Sequence, residues 1–269
     1  SGDYERAEII CDHLLARGHL VATHVSLQAA GNRALLFMIR GAMAAAEAVL
    51  PSIEAMDALG PAPEAHEARW QVRYLHARLL VQRGHWAAAE RLAREAIDRF
   101  SAGLMPHQRA LTWAFLSGCR VDADDPEGAA ALAARAREEA GNISAARTAL
   151  AMLRLLEAEG DLRAVWDRFT TDETTDESML RRLRHTFLDL REEFLALHDG
   201  MSAAYASIQL TDIALLSDDE DLFHDAIAWA KAVDPKHPAI RLQVHQQWAK
   251  LADLCDDDHE QMRHLKQVV

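Results

Sequence analysis

Apolar and polar positions along the chain follow the period of an α-helix almost everywhere. Apolar residues recur three and four positions apart, and neither sustained apolar–polar alternation nor an Asn-Gly turn marks a strand. The pattern predicts helices at 3–17, 20–40, 42–58, 64–83, 86–100, 106–122, 126–140, 143–159, 161–170, 178–199, 202–216, 220–233, 238–255 and 258–268. The expected fold class is therefore all-α, with a kink or restart of the helix at Pro51.

A short phrase recurs along this helical pattern: Gly or Asp, then an aromatic or apolar residue, then Ala. It occurs as GDYERA (2–7), GHWAAA (84–89), DDPEGA (124–129) and GDLRAV (160–165), with looser copies in GAMAAA (41–46) and DDDHEQM (256–262). The anchors at 41, 84, 124 and 160 are 43, 40 and 36 residues apart. A period in this range is the signature of an array of helical hairpins.

Each unit of this array has the layout of helix, turn and helix. In WQVRYLHARLLVQRGHWAAAERLAREAIDRF (70–100), small residues such as Ala77 in the first helix are expected to face Ala89 in the second. In the next unit, Ser117 and Ala129 hold the same positions. Side chains this small predict helix axes at the short end of the usual ~8–10 Å separation.

These hairpins resemble tetratricopeptide repeats or a close helical-repeat relative. The segments that carry the resemblance are 70–100, 110–141, the half-unit 2–17 and HDAIAWAKAVDPKHP (224–238), which is similar to a second helix with its closing Pro. The resemblance implies a right-handed superhelix (α-solenoid) of about six stacked antiparallel hairpins, forming one domain over 1–269. The acidic stretch TTDETTDES interrupts the pattern, so an irregular region is expected around 170–200.

Both ends of the sequence read as parts of repeats. GDYERA begins as the second half of a unit, and DDDHEQMRHLKQVV stops within a predicted helix. Because a repeat array normally needs a capping element with a polar outer face, we expect the chain to be excised from a longer polypeptide.

Composition and charge narrow the classes of function. A net charge of −13 argues against direct nucleic-acid binding, which depends on neutralising phosphates. The basic strip Arg181–Arg184 is interpreted as a solvated helix face. No apolar run approaches the ~18 residues of a membrane span, and no signal peptide is visible. Three Cys far apart in sequence give no disulfide framework, so the expected location is cytoplasmic.

A search for catalytic and metal-binding patterns finds only near misses. In HEQMRH (259–264), His259 and His264 lie five residues apart, roughly 140° around a helix, which is a poor arrangement for sharing a metal. The acidic runs DDED (218–221) and CDDDHE (255–260) fall in turns between helices, where Asp caps free N–H groups. We therefore predict no enzyme activity, no metal site and no cofactor.

The resemblance instead implies binding in a groove. In stacked hairpins the first helix of each unit lines the concave surface, which takes a peptide or a partner helix. The phase of the small residues assigns eight residues to this groove: Gln71, Tyr74, Arg78, Val81, Arg147, Leu150, Arg154 and Glu157. Arg beside aromatic residues suits an acidic or carboxylate-bearing partner. The alternative is that Tyr74 packs between repeats and that the Arg side chains are solvated.

The function expected from the sequence is a non-enzymatic regulatory (sensor) module of a bacterial signalling protein, resembling arrays that precede effectors such as GGDEF diguanylate cyclases or helix-turn-helix activators. Its partner would be a protein, a peptide or a small ligand in the groove, and an exposed lateral face would equally support a homodimer. The alternative function is a constitutive scaffold or assembly adaptor without switching.

Overall fold

A computed structural model describes residues 2–18, 23–39, 42–58, 65–171, 176–197, 199–233 and 238–254. Within these ranges the chain forms α-helices and two short 3₁₀ turns, and no strand. The helices are α1 (Gly2–Ala16), α2 (Thr23–Ile39), α3 (Met43–Val49), α4 (Ile53–Asp57), α5 (His66–Gln82), α6 (Trp86–Phe100), α7 (Pro106–Asp122), α8 (Pro126–Ala140), α9 (Arg147–Thr170), α10 (Glu177–Ala196), α11 (Gly200–Ser217), α12 (Glu220–Val233) and α13 (Pro238–Leu254). The prediction of an all-α chain of successively packed helices is confirmed for the described residues.

Most predicted helices lie where the pattern placed them, and α6, α7 and α8 have the predicted bounds. The break at Pro51 is confirmed, because α3 ends before it and α4 begins after it. The division at Gly160 is wrong, since α9 continues through it. Glycine inside a helix costs only ~1 kcal/mol relative to Ala. Burial of the stripe that includes Ala158 and Leu162 stabilises the helix on both sides of Gly160. The predicted helix 258–268 lies outside the described residues.

Helix starts carry clear local signals. Pro106 and Pro126 hold the first position of α7 and α8, where a missing N–H costs nothing. The Asp125 carboxylate accepts a hydrogen bond from Gly128 N at 2.9 Å, and Asp176 caps α10 in the same way through Ser178 N. These carboxylates satisfy N–H groups that have no partner within the helix, and they also complement the helix dipole.

Three hairpin turns share one backbone geometry. Gly84, Asp124 and Asp218 each adopt a left-handed conformation, with φ of 74°, 56° and 53°. In each turn the next residue donates its backbone N–H to the carbonyl five positions earlier: His85 to Leu80, Asp125 to Arg120 and Asp219 to Ala214, at 2.9, 3.0 and 2.9 Å. This closure satisfies a carbonyl at the helix end and reverses the chain. It joins α5 to α6, α7 to α8 and α11 to α12.

Small residues are buried in the paired helices at the positions where the sequence predicted close approach. Ala77 and Ala89 of the α5–α6 hairpin are fully buried. In the α7–α8 hairpin the Ser117 hydroxyl donates a hydrogen bond to the Ala129 carbonyl at 2.9 Å, so side chain and backbone are in direct contact across the pair.

The chain divides into two compact units, Ser1–Leu150 (unit 1) and Ala151–Val269 (unit 2). Unit 1 has an aliphatic cluster shared by α2 to α5 and an aromatic cluster around Trp70, Tyr74 and Phe100. Unit 2 has one larger core in which Phe187 and Phe194 of α10 are fully buried. A single continuous domain, a right-handed superhelix and about six repeats stay predictions. None of the described helices is long and apolar enough to cross a membrane.

Candidate functional site

The four residues assigned to a groove on α5 fall on one stripe of that helix, but they have different environments. The Gln71 amide donates a hydrogen bond to Asn32 Oδ1 of α2 at 2.7 Å. Tyr74 is only 5% exposed, stacks on Trp70 and meets the edge of Phe115 of α7, with ring centroids 5.4 Å apart in both pairs. Tyr74 therefore has the packing role that the sequence left open for it.

Arg78 and Val81 lie on the same stripe, one and two turns beyond Tyr74, and both are half-buried. Among the described residues Arg78 has no hydrogen bond and no ion pair, in contrast to Arg73 and Arg83 of the same helix. A partly desolvated guanidinium without a protein partner gains more from an external carboxylate than a fully hydrated one does.

Helix α7 has two apolar residues, missed by the sequence assignment, that neighbour this stripe at its Tyr74 end. Leu111 and Phe115 are half-buried and lie against the aromatic cluster of unit 1. Leu111 precedes the left-handed turn residue Asp124 by the same number of positions as Gln71 precedes Gly84. The two residues are therefore equivalent in successive hairpins. If the helical phase used for α5 had been applied to the α7–α8 hairpin, it would have assigned Leu111 to the groove. We call Arg78, Val81, Leu111 and Phe115 the α5–α7 face.

A buried hydrogen bond fixes the two helices of this face against each other. The Trp70 indole N–H donates to Thr112 Oγ1 at 2.8 Å, and the same hydroxyl donates to the Gln108 carbonyl. Thr112 is fully buried, so water does not compete for either bond. This bond holds α5 and α7 together at the Trp70 end of the face.

The other four predicted groove residues lie on α9. Arg147, which is exposed, and Leu150, which is half-buried, belong to unit 1, whereas Arg154 and Glu157, both exposed, belong to unit 2. Arg154 Nη1 forms an ion pair with Glu193 Oε2 of α10 at 2.6 Å, so its charge is already balanced. The assignment of these four residues to a binding site stays a prediction.

The stripe of α11 that corresponds to the Arg78 stripe has a different environment in unit 2. Arg78 of α5 lies six residues before the turn residue Gly84. The residue at the same distance before the α11 turn residue Asp218 is Asp212, which is buried. Its carboxylate accepts hydrogen bonds from Lys250 Nζ at 2.7 Å and from Gln247 Nε2 at 3.4 Å, both on α13. Burial raises the pKa of Asp212, and the ammonium group of Lys250 limits the rise. In unit 2, therefore, α13 covers this stripe.

A second buried charge lies in unit 1, on the side of α5 that faces α4 and α6. Arg73 is fully buried, and its guanidinium lies 5.1 Å from the centre of the Phe100 ring. Arg73 Nη2 forms an ion pair with Asp57 at the end of α4, and Nε lies 3.8 Å from Glu95 of α6. These contacts join the short helix α4 to the α5–α6 hairpin.

Groups that could carry chemistry are sparse in the part of the chain that the structure describes. There, no group of three or more His, Cys, Asp or Glu side chains lies close enough together to hold a metal ion. Cys11 and Cys119 are buried free thiols, and burial raises the pKa of Cys11. The motif HEQMRH, the run CDDDHE and Cys255 lie outside the described residues.

Comparisons with known proteins assign no family to this chain. No protein-family model matches it, and the search of curated proteins finds no significant match.

Proposed function

We propose that this chain is a non-enzymatic, protein-binding regulatory module, and that a peptide or a helix of the partner binds along the α5–α7 face. The observation that carries the proposal is an unpaired, half-buried guanidinium, Arg78, on the same face as two half-buried apolar side chains, Leu111 and Phe115. Arginine beside aromatic residues is the composition that interface hot spots favour.

The chemistry of this face defines the partner. A segment that presents a carboxylate to Arg78 and an apolar side chain to Leu111 and Phe115 would satisfy both kinds of group together. The two helices are already fixed by the Trp70–Thr112 hydrogen bond, so little conformational order would have to be gained on binding.

The proposal is tested with a random 12-residue peptide library selected against the immobilised chain. Selected peptides should combine Asp or Glu with an apolar residue. Their affinities, measured by fluorescence polarisation, should fall roughly ten- to hundredfold in Arg78→Glu, because a charge-assisted hydrogen bond is lost and a like charge is introduced. Arg91→Glu is the matched control, since Arg91 is an exposed residue of α6 away from this face.

Peptides that bind both variants as tightly as the wild-type chain would reject the α5–α7 face. The regulatory part of the proposal is tested separately, by introducing Arg78→Glu into the native protein in its cell. A regulatory module would change the output of that protein in response, whereas a constitutive adaptor would lose only the complex.

A further inference from the structure

A cleft of about 430 Å³ lies within unit 2, at the open end of the α10–α11 hairpin, where α10 begins and α11 ends. Its floor is apolar and consists of Leu180, Ile213 and Leu216. Its volume is in the range of ~300–1,000 Å³ that is typical of small-molecule pockets. The cleft is separate from the α5–α7 face, which lies in unit 1.

The rim of the cleft carries charges of both signs on exposed side chains, and two of them, Arg181 and Asp218, have no ion pair among the described residues. The Arg181 guanidinium makes one bond, from Nε to the Glu177 backbone carbonyl at 3.3 Å, and has no carboxylate partner among the described residues. Across the cleft, at the end of α11, Asp218 has no ion pair within the described part of the chain. The neighbouring Arg184 differs, because it already pairs with Asp219 at 3.0 Å.

We propose that this cleft binds a small zwitterion with an apolar side chain, of the class of the free apolar α-amino acids. The ligand carboxylate accepts hydrogen bonds from Arg181, its ammonium group donates to Asp218, and its side chain lies on the apolar floor. The side chain of Glu177, which also lines the rim, adds to the attraction for the ammonium group.

A ligand of a single charge fits this arrangement less well. A simple carboxylate would leave the Asp218 and Glu177 charges beside a partly desolvated anion, and a simple amine would leave Arg181 beside a cation. Only a ligand that carries both charges matches both sides of the rim. The proposal does not depend on protein binding at the α5–α7 face.

Binding is tested with L-leucine as the probe, by calorimetric titration and by methyl NMR of the folded chain. L-leucine should give a saturable signal and should shift the methyl resonances of Leu180, Ile213 and Leu216. The analogues 4-methylpentanoate, which lacks the amino group, and 3-methylbutylamine, which lacks the carboxyl group, should each bind roughly tenfold more weakly or worse, because each loses one charged hydrogen bond.

Two variants and two matched controls locate the charges. Arg181→Gln and Asp218→Asn should each weaken leucine binding by about tenfold or more, and Asn retains the left-handed backbone at 218. Arg163→Gln, at an exposed position of α9, and Asp124→Asn, at the corresponding turn of unit 1, should leave binding unchanged.

The proposal is overturned if L-leucine gives no saturable signal, or if either analogue binds as tightly as L-leucine. A loss confined to Arg181→Gln would also overturn it, because the cleft would then be a plain carboxylate site. Unchanged helicity by circular dichroism ensures that a loss of binding reflects the removed charge and not unfolding.

Discussion

Two regions of the molecule have the same arrangement of a helical hairpin and a third helix, but different side chains hold that third helix in place. In unit 1, α5 and α6 form a hairpin on which α7 packs, and in unit 2, α11 and α12 form a hairpin on which α13 packs. The hairpin turns have the same left-handed residue and the same backbone closure. The packed helices contain the similar sequences TWAF (112–115) and QWAK (247–250), but Thr112 contacts Trp70 in the first half of α5 whereas Gln247 contacts Asp212 in the second half of α11.

The contacts by which α7 packs on its hairpin (the unit 1 joint) differ from those by which α13 packs on its hairpin (the unit 2 joint). The unit 1 joint has at its buried centre a neutral hydrogen bond from Trp70 to Thr112 with an aromatic contact beside it, and it also has an ion pair between Arg120 of α7 and Glu90 of α6 at 2.6 Å. The unit 2 joint is a buried ion pair, Asp212 with Lys250, although Trp248 also packs on Phe223 with ring centroids 5.1 Å apart. Repeated backbone geometry thus leaves the joint chemistry free to vary, and of the carboxylates in these two ion pairs Asp212 of the unit 2 joint is the more deeply buried.

The largest expected effect is on the unit 2 joint. Replacing Lys250 by Met leaves the Asp212 carboxylate buried without its cation. Breaking a fully buried pair in this way costs ~3–5 kcal/mol, and because the Lys250 side chain is 46% exposed we expect about 2 kcal/mol at pH 7. Urea unfolding followed by circular dichroism measures the loss, and hydrogen exchange should locate it in α13.

The same variant gives a pH dependence of known sign. The folded-state pKa of Asp212 is raised, so its ionisation lowers stability as the pH rises from the unfolded value of ~3.9 through the folded value. Lys250→Met raises that pKa further, so its cost should be smallest near pH 4 and largest at neutral pH. The double variant with Asp212→Asn should recover part of the loss; a strictly additive result would show that the two groups are not coupled.

Removing the neutral hydrogen bond of the unit 1 joint should have a smaller effect without pH dependence. Thr112→Val preserves the side-chain shape but leaves the buried Trp70 N–H without its acceptor, which should cost roughly 1–2 kcal/mol. The loss should be equal at pH 4.5 and pH 7. Thr186→Val, which removes a solvent-exposed hydrogen bond from a half-buried side chain of α10 to the Arg182 carbonyl, is the control and should change the free energy of unfolding by less than ~0.5 kcal/mol.

The smallest effects concern the two turns, and they should have opposite signs. Gly84→Ala places a side chain on a left-handed backbone and should cost about 1 kcal/mol, although a Cβ at this position has no atom within 4 Å to collide with. Asp218→Gly relieves the same strain and should stabilise unit 2 by roughly 0.5 kcal/mol. Equal effects of the same sign would show that the two turns are not equivalent.

Much of the fold is predictable from local sequence signals. The bounds of α6, α7 and α8 follow from Pro at helix starts, from capping Asp125 and from the turn residue Gly84, all of which act within one turn of the chain. The continuity of α9 through Gly160 was not predicted, because it depends on tertiary burial of the stripe around Leu162. The arrangement of the hairpins beyond each unit is likewise a property of long-range packing, which helical periodicity does not encode.

The candidate site could be predicted only in part. Helical phase places Arg78 and Val81 on the same stripe of α5 as Tyr74, but it does not reveal that α7 approaches closely enough to bury Tyr74. The contribution of Phe115 depends on that same approach. The unpaired rim charges Arg181 and Asp218 are 37 positions apart in sequence, so their juxtaposition at one cleft follows only from the pairing of α10 with α11.

The buried ion pair in unit 2 has a consequence for how this chain reaches its native state. A chain that contains two similar hairpins risks docking the wrong third helix on either of them, a characteristic failure of repeated architectures. A helix that docked on the α11–α12 hairpin in place of α13, without a cation opposite Asp212, would leave that buried carboxylate unpaired. Because such an exchange would be penalised by charge, we expect the Asp212–Lys250 pair to favour the docking of α13 on its own hairpin.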